Sequence, residues 1–193
     1  KDLALALAAH SIRIEAPIPG KSVLGIEIPN SAISIVGMRD VVESNAFENS
    51  KARLKLPLGE DVSGQGVIAG MERMPHLLVA GSTGSGKSVA VNCFVCALLM
   101  KHTPEDLKFI MVDPKMVELI VYNHIPHLLS PVVTELERVV PTLKWAVKEM
   151  ERRYKVFAKH GFRNIDSYKQ AARRRADLEP MPYIVIIIDE LAD

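Results

Sequence analysis

A glycine-rich segment, residues 81–88, constrains this chain more than any other part of its 193-residue sequence. It reads GSTGSGKS and fits the phosphate-binding loop pattern G-x-x-x-x-G-K-[ST]. That pattern needs a strand before the loop and a helix after it, and apolar runs at 76–80 and 89–100 supply both. The alternative is a chance match in a Gly/Ser-rich turn, which the flanking runs disfavour. The sequence therefore predicts a strand–loop–helix unit that binds phosphate groups.

The residue types in the loop suit an anion for physical reasons. Glycines let the backbone curl so that successive N–H groups point at phosphate oxygens, and the following helix presents its positive end. Lys87 is predicted to reach the β- and γ-phosphates, and the Ser88 hydroxyl to be a ligand of Mg²⁺. The predicted nucleotide-binding residues are Gly81, Ser82, Thr83, Gly84, Ser85, Gly86, Lys87, Ser88 and Val89.

A second part of the predicted site follows the β-branched run at 183–188, which leads into Asp189 and Glu190. This is the Walker B pattern, and open α/β sheets bind ligands at the carboxyl ends of their strands. Asp189 is predicted to hold Mg²⁺ beside Ser88, and Glu190 to polarise the attacking water as a general base. With Lys87 they form the predicted catalytic set for ATP hydrolysis. The alternative is a buried strand that happens to end in two acids.

The composition narrows the class of protein. Hydrophobic residues make up 48% of the chain, which is ordinary for a globular core, and the net charge of +1 gives no support for a nucleic-acid partner. No apolar run has membrane-spanning length, and no signal peptide is visible. Cys93 and Cys96 lie within the predicted helix and are expected to be buried small hydrophobes in a reducing, cytosolic setting. The chain begins without Met, so we expect it to be a piece of a longer protein.

The hydrophobic pattern divides the chain into a small α+β domain over 1–50, a linker and β-hairpin over 51–75, and an α/β core over 76–193. In the first part the pattern predicts short helices at 1–10 and 39–44 and a polar linker at 45–52. It predicts strands at 11–15, 23–28, 33–36, and a hairpin formed by 54–58 and 66–69.

The core pattern predicts two strands buried on both faces, at 107–112 and 183–188. A long helix is predicted to begin at Thr134, with a capping box formed with Glu137, and to end at Gly161. Pro141 predicts a kink or a restart in that helix. A further helix is predicted at 164–176.

Several separate segments, in the same order, resemble the FtsK/SpoIIIE family of bacterial DNA translocases. These segments span nearly the whole chain and are residues 18–21, 76–89, 109–119, 125–129, 149–154 and 189–193.

This resemblance implies a RecA-like P-loop NTPase core, incomplete because the sequence ends at the Walker B strand, preceded by a small α+β domain. It implies an ATP-driven motor with ATP and Mg²⁺ as cofactors, which assembles as a homo-hexameric ring and pumps double-stranded DNA for chromosome segregation at a division or sporulation septum. It places the motor on the cytoplasmic side of the bacterial membrane, with an anchor outside this sequence. The family's γ-phosphate sensor and pore loops would follow residue 193, so the activity of this piece alone stays open. The alternatives are a conjugative-coupling or protein-secretion ATPase and a non-hydrolysing nucleotide-binding module.

Other residues leave two interpretations open. Asp113 could face the nucleotide or a neighbouring subunit, or it could form a strand-end turn with Pro114. Arg152 and Arg153 could act as an arginine finger, although ion pairs with the glutamates at 149 and 151 are favoured. The arginines at 173–175 could contact DNA, although a solvated helix end is favoured. His124 and His127 are interpreted as structural.

Overall fold

The computed structural model describes residues 5–9, 12–18, 22–30, 32, 34–82 and 84–190. The chain divides into two compact units, Lys1–Gly37 and Met38–Asp193. Their architecture is mixed α/β, with the phosphate loop and both acidic residues in the second unit. No helix in the described ranges is long and apolar enough to cross a membrane.

The first unit contains one antiparallel ribbon. Strand β1 (Arg13–Glu15) pairs with β2 (Gly25–Glu27), with Ile14 opposite Ile26. These strands confirm, in shorter form, the predictions at 11–15 and 23–28. Residues 34–37 have no regular structure, and Ile33 lies outside the described residues, as do residues 1–4 and 10 of the predicted first helix.

The second unit begins with two short helices, α1 (Met38–Val42) and α2 (Asn45–Asn49). The second of these shows that the predicted linker at 45–52 is wrong. Ser44 Oγ caps α2 by accepting the N–H of Phe47 at 3.2 Å. The Phe47 ring is fully buried in a cluster with Val42 and Ala97. A good cap and one buried aromatic side chain therefore outweigh the polar composition of this segment.

The predicted hairpin is confirmed. Strand β3 (Lys55–Glu60) pairs antiparallel with β4 (Gly66–Gly70), with an irregularity between Pro57 and Gly59. Leu56 on β3 is buried in the main hydrophobic core. The hairpin is thus anchored to the core by its inward-facing residues.

Residues 77–82 contain no strand, so the strand predicted before the phosphate loop is wrong. Leu78 is 76% exposed. A strand needs a neighbour for its ladder hydrogen bonds, and none of the described strands pairs with this segment. Apolar composition alone is therefore not enough to predict a strand at this segment. The predicted helix after the loop is confirmed as α3 (Lys87–Lys101).

A parallel strand pair lies at the centre of the core. Strand β5 (Leu107–Val112) pairs with β6 (Tyr183–Ile188) in register from Leu107 opposite Tyr183 to Val112 opposite Ile188. The other edge of β5 makes isolated bridges to Leu128 and Val133. The buried core around this pair comprises Leu54, Leu56, Val95, Leu98, Leu107, Phe109, Met111, Leu119, Val132 and Val185.

Burial on both faces is confirmed for β5, but it is wrong for β6. Val185 is buried, whereas Ile186 is 36% exposed. Among the described strands β6 pairs only with β5. Within the described residues it is therefore an edge strand, and β-branched composition does not distinguish an edge strand from a central one.

Two helices complete the unit, α4 (Leu136–His160) and α5 (Ile165–Ala172). Glu135 rather than Thr134 is the N-cap of α4, and no side chain of the described residues caps it, so the capping box is wrong. Pro141 lies inside one continuous helix, so the predicted restart is also wrong. The proline removes the N–H that would donate to Glu137 O, but the helix continues past it. Gly161 ends the helix with φ +74° as predicted.

Candidate functional site

The phosphate loop owes its shape to its glycines. Gly84 and Gly86 have φ of +78° and +94°, values that L side chains rarely adopt, and a Cβ on either would meet no atom within 4 Å. Gly86 is also the N-cap of α3, and no side chain in the described ranges caps this end. The first N–H groups of α3 are thus left for another acceptor. Thr83, also predicted to bind nucleotide, lies outside the described residues.

The Lys87 side chain folds back over the loop. Its Nζ donates to Gly81 O at 2.7 Å and to Ser82 O at 3.3 Å. Backbone carbonyls are neutral acceptors, and an anionic oxygen is a stronger partner for an ammonium group. Lys87 is therefore held at the mouth of the loop by bonds that an anion could replace.

Ser88 lies in the first turn of α3 and is joined to a polar network. Asn92 Nδ2 donates to Ser88 O at 2.9 Å, and the Tyr122 hydroxyl donates to Asn92 Oδ1 at 2.5 Å. Tyr122 ends a short 3₁₀ turn, Ile120–Tyr122, that follows β5. Val89, the last residue of the predicted loop set, is exposed.

The second half of the site lies at the carboxyl ends of β5 and β6, and we call Asp113, Glu118, Asp189 and Glu190 the acidic edge. The N–H of Asp189 donates to Val112 O at 3.0 Å. Burial raises the pKa of Asp189, and the charges of Asp113, Glu118 and Glu190 raise it further. An added cation would relieve both effects.

Asp113 is fully buried, and one of its oxygens holds the turn after β5. Oδ2 accepts the N–H groups of Glu118 at 2.9 Å and Leu119 at 2.8 Å. Oδ1 has no partner in the described part of the chain. Of the two interpretations of Asp113, the structure shows the strand-end turn.

Glu190 is joined to a lysine that follows the neighbouring strand. Lys115 Nζ lies 3.4 Å from Glu190 Oε2. Among the described residues, no hydrogen bond or ion pair joins Ser88 to Asp189, and no group of three or more His, Cys, Asp or Glu side chains could hold a metal ion. Among the described residues, the phosphate loop and the acidic edge therefore each make their own hydrogen bonds and ion pairs.

Sequence reasoning gave no role to Lys115, Asn92 or Tyr122. Asn92 could have been noticed because it lies four residues after Ser88, on the same face of α3. Lys115 follows the end of β5, and parallel pairing with β6 brings it to Glu190. The sequence around Tyr122 does not indicate its role, because its hydrogen-bond partner Asn92 lies 30 positions away.

The arginines of α4 form the ion pairs that the sequence favoured. Arg152 and Arg153 both bond to Glu149, each at 2.7 Å, and Arg152 also bonds to Glu179. The Arg152 bond, followed by Arg153, lowers the pKa of Glu149 to about 2. Beyond α5, Arg175 pairs with Asp177.

The contacts of the two cysteines and of His127 indicate structural roles. Cys93 and Cys96 are free and only partly buried, so the expectation of buried cysteines is wrong in degree. Tyr122 Oη lies 3.8 Å from Cys96 Sγ and gives this face of α3 a polar neighbour. His127 is buried, with Nε2 2.9 Å from His102 O.

The comparison with protein families decides the affiliation of this chain. The model of the FtsK/SpoIIIE family matches residues 37–193, and the FtsK alpha domain model matches residues 1–30. The chain belongs to the FtsK/SpoIIIE family.

Relatives of this FtsK/SpoIIIE-family chain match it along its whole length. DNA translocase FtsK of Clostridium tetani is 53% identical over 192 residues, which are 100% of this chain and 26% of the relative. DNA translocase SpoIIIE of Bacillus subtilis is 53% identical over 197 residues, 100% of this chain and 25% of the relative. The chain thus spans about a quarter of the length of these relatives.

Solved structures with a similar fold carry other names. The conjugation coupling protein TcpA, in monomer form with ATPγS, superposes with a TM-score of 0.66 at 24% identity, over 99% of this chain and 50% of TcpA. The cytoplasmic domain of the Type VII secretion ATPase EccC from Thermomonospora curvata gives 0.59 at 32% identity, over 70% of this chain and 17% of EccC. The TcpA match shows the fold of the FtsK/SpoIIIE-family chain along nearly its whole length.

Proposed function

We propose that this protein is an ATP-driven motor that moves double-stranded DNA. The observation that carries the proposal is the presence, in one chain, of a glycine loop closed by Lys87 and an acidic strand edge that ends in Asp189 and Glu190. The relatives that match the whole chain are named DNA translocases, and this name supports the choice of DNA as the moved substrate.

ATP would bind at the glycine loop. Phosphate oxygens would replace the two carbonyls that now accept from Lys87. The open space beside Gly84 and Gly86 lets an anion approach the backbone N–H groups at the start of α3. We assign nucleotide binding to the whole loop set, residues 81–89, including Thr83.

The oxygens of Ser88 and Asp189 fit a magnesium ion, which prefers hard oxygen ligands. The pKa of Asp189 is raised by burial and by three neighbouring carboxyl groups, so a dication here would lower the free energy of the ionised form. We assign Ser88 and Asp189 to the metal. When bound, Mg²⁺ supplies positive charge that stabilises the β- and γ-phosphate oxygens.

Glu190 would act as the general base in hydrolysis. Its carboxylate takes a proton from the water that attacks the γ-phosphorus. The bond between that phosphorus and the β–γ bridging oxygen then breaks, which releases ADP and phosphate. Lys87 stabilises the charge that develops on the transferred group.

The motor would work as a homo-hexameric ring on the cytoplasmic side of the bacterial membrane, during chromosome segregation at a division or sporulation septum. Membership of the FtsK/SpoIIIE family supports this assignment. The chain spans about a quarter of the length of its relatives, so the experiments below use the full-length protein.

The related ATPases that share the fold provide the second candidate function. TcpA is named a conjugation coupling protein and EccC a secretion ATPase. The translocase is favoured because relatives named for it are 53% identical over the whole chain, whereas TcpA is 24% identical. Duplex DNA is not expected to change the ATPase rate of a motor for protein secretion.

The test is the steady-state ATPase rate of the full-length protein, with and without long duplex DNA, at two salt concentrations. We expect stimulation of about tenfold that fades as salt rises, because phosphate contacts release counterions. Lys87→Ala should abolish the stimulated rate. Lys155→Ala is the matched control, since Lys155 is an exposed lysine of α4.

Each contrary result removes one part of the proposal. An ATPase rate that ignores DNA at both salt concentrations would contradict the translocase and favour the secretion motor. Full turnover by Glu190→Gln would contradict the base assignment. A rate that neither Lys87→Ala nor Glu190→Gln lowers would not come from this site and would favour a non-hydrolysing nucleotide-binding module.

A further inference from the structure

Lys115 contacts the carboxylate that we assign as the general base. Its ammonium Nζ lies 3.4 Å from Glu190 Oε2. We infer that Lys115 is a positioning residue, which orients Glu190 for ATP hydrolysis from the turn that follows the neighbouring strand. The inference rests on the function proposed above and assigns a role to a residue outside the phosphate loop and the Walker B pair.

Strand pairing brings the two residues together. Val112 and Ile188 are opposite each other at the ends of β5 and β6, and the N–H of Asp189 donates to Val112 O at 3.0 Å. Lys115 and Glu190 follow these ends and are 75 positions apart in the sequence. Their contact is therefore a product of the parallel register rather than of local sequence.

The turn that carries Lys115 is fixed from inside the protein. The buried Asp113 carboxylate accepts the N–H groups of Glu118 and Leu119, and the N–H of Met116 donates to Asp113 O at 3.2 Å. A buried hydrogen bond is costly to leave unmade, so these bonds hold the turn in place. The Lys115 side chain thus begins from a backbone position that is well defined on both sides.

The charge of Lys115 suits an orienting role. Its ammonium group pairs with Glu190, a member of the acidic edge, which also holds Asp113, Glu118 and Asp189. Without a cation, repulsion between Glu190 and Asp189 favours rotamers in which the two carboxylates point apart. The ammonium group offsets this repulsion and restricts Glu190 to fewer orientations.

The competing interpretation is a surface ion pair without function. The Lys115 and Glu190 side chains are 51% and 37% exposed, and such pairs contribute about 0–1 kcal/mol to stability. A stability measurement therefore does not separate the two interpretations. Catalysis does, because a general base that loses its orientation lowers the rate of the chemical step without weakening substrate binding.

The experiment compares Lys115→Met, Lys115→Arg and the exposed-lysine control Lys155→Met in the full-length protein with saturating duplex DNA. It measures kcat, KM for ATP and the Kd of a fluorescent ATP analogue. We expect Lys115→Met to lower kcat about tenfold and to change KM and Kd less than about twofold. Lys115→Arg should restore at least about half of kcat, since it keeps the cation, and Lys155→Met should match the parent protein.

A Glu190→Gln background gives a second, independent readout. If Lys115 acts through Glu190, adding Lys115→Met to Glu190→Gln should lower the residual rate less than about twofold. A further drop of about tenfold would overturn the inference, because Lys115 would then act on its own.

Failure of the inference differs from failure of the proposed function. If the parent protein hydrolyses ATP and Lys115→Met keeps more than half of the parent kcat, the inference is overturned and the proposed function is unaffected. Equal impairment of Lys115→Met and Lys115→Arg, or a rise in KM as large as the fall in kcat, would show a structural contact and also overturn it. A parent rate equal to that of Lys87→Ala would remove the proposed function and the inference with it.

Discussion

Gly81 and Ser85 approach each other so closely that a Cβ on Gly81 would lie 2.3 Å from Ser85 Oγ and 3.2 Å from Ser85 Cβ. The Ser85 N–H also donates to Ser82 O at 3.1 Å, which keeps the turn closed. The hydroxyl can rotate away from an added methyl group, but the Ser85 Cβ moves only if the loop moves. An added methyl group therefore requires Ser85 to shift by a few tenths of an ångström, so position 81 favours glycine.

Gly81→Ala should weaken ATP binding about tenfold, because the loop must open to admit the methyl group. Equilibrium binding of a fluorescent ATP analogue measures the effect. Adding Ser85→Ala should recover only part of the affinity, since the Cβ remains, and Ser85→Gly should recover more. Wild-type affinity in Gly81→Ala would show that the loop widens freely.

Position 86 favours glycine for a different reason. Its φ of +94° would strain an L residue, although a Cβ there would have open space. Gly86→Ala should cost about 1–2 kcal/mol through backbone strain. Gly161, with φ +74°, is a matched control at the end of α4. Both alanine variants should lower the unfolding midpoint in urea, and only Gly86→Ala should also weaken ATP binding. Equal loss of ATP affinity in Gly161→Ala would contradict the local role of Gly86.

Asp113 should tolerate asparagine better than alanine. The side-chain oxygen of asparagine can still accept from Glu118 and Leu119, whereas Asp113→Ala leaves both N–H groups without their acceptor at about 1 kcal/mol or more each. Hydrogen exchange at these two amides is the measurement. Protection should fall at least about tenfold in Asp113→Ala and much less in Asp113→Asn. Equal loss in both variants would show that the charge, rather than the acceptor, holds the turn.

The sequence predicted the parts of the fold that depend on local signals. The glycine loop, the apolar run of β5 and the C-cap at Gly161 each have a local physical cause, and the structure confirms them. The strand expected at 76–80 failed because strands depend on a partner, which local sequence does not identify.

Within the candidate site, only the phosphate loop and the Walker B residues could be predicted from the sequence. Asp189 and Glu190 could be predicted because they follow an apolar run in the Walker B pattern, whereas the residues that contact them come from distant parts of the sequence. The Lys115 contact depends on the register of two parallel strands, and the cap at Ser44 depends on whether Phe47 finds a buried position. Tertiary packing decides such cases.

Glu149 offers a test that is independent of the nucleotide site. Its carboxylate bonds to Arg152 and Arg153, and its side chain is 15% exposed. The Arg152 bond, followed by Arg153, lowers its pKa from 4.5 to about 2. A lowered pKa in the folded state means that the ionised form stabilises folding. The contribution is complete above about pH 4.5 and is lost as the pH falls toward about 2.

Glu149→Gln should therefore lower the free energy of unfolding by about 1–2 kcal/mol at pH 7, since it removes a charge that two arginines share. The difference from the parent protein should shrink to roughly half at pH 3, because protonation of Glu149 weakens the parent as well. Urea unfolding of the full-length protein at both pH values, followed by the fluorescence of Trp145 on the same helix, measures it. Glu151→Gln, an exposed glutamate of α4, is the matched control and should behave like the parent. A difference that stayed constant between pH 7 and pH 3 would show that Glu149 acts through packing rather than through its charge.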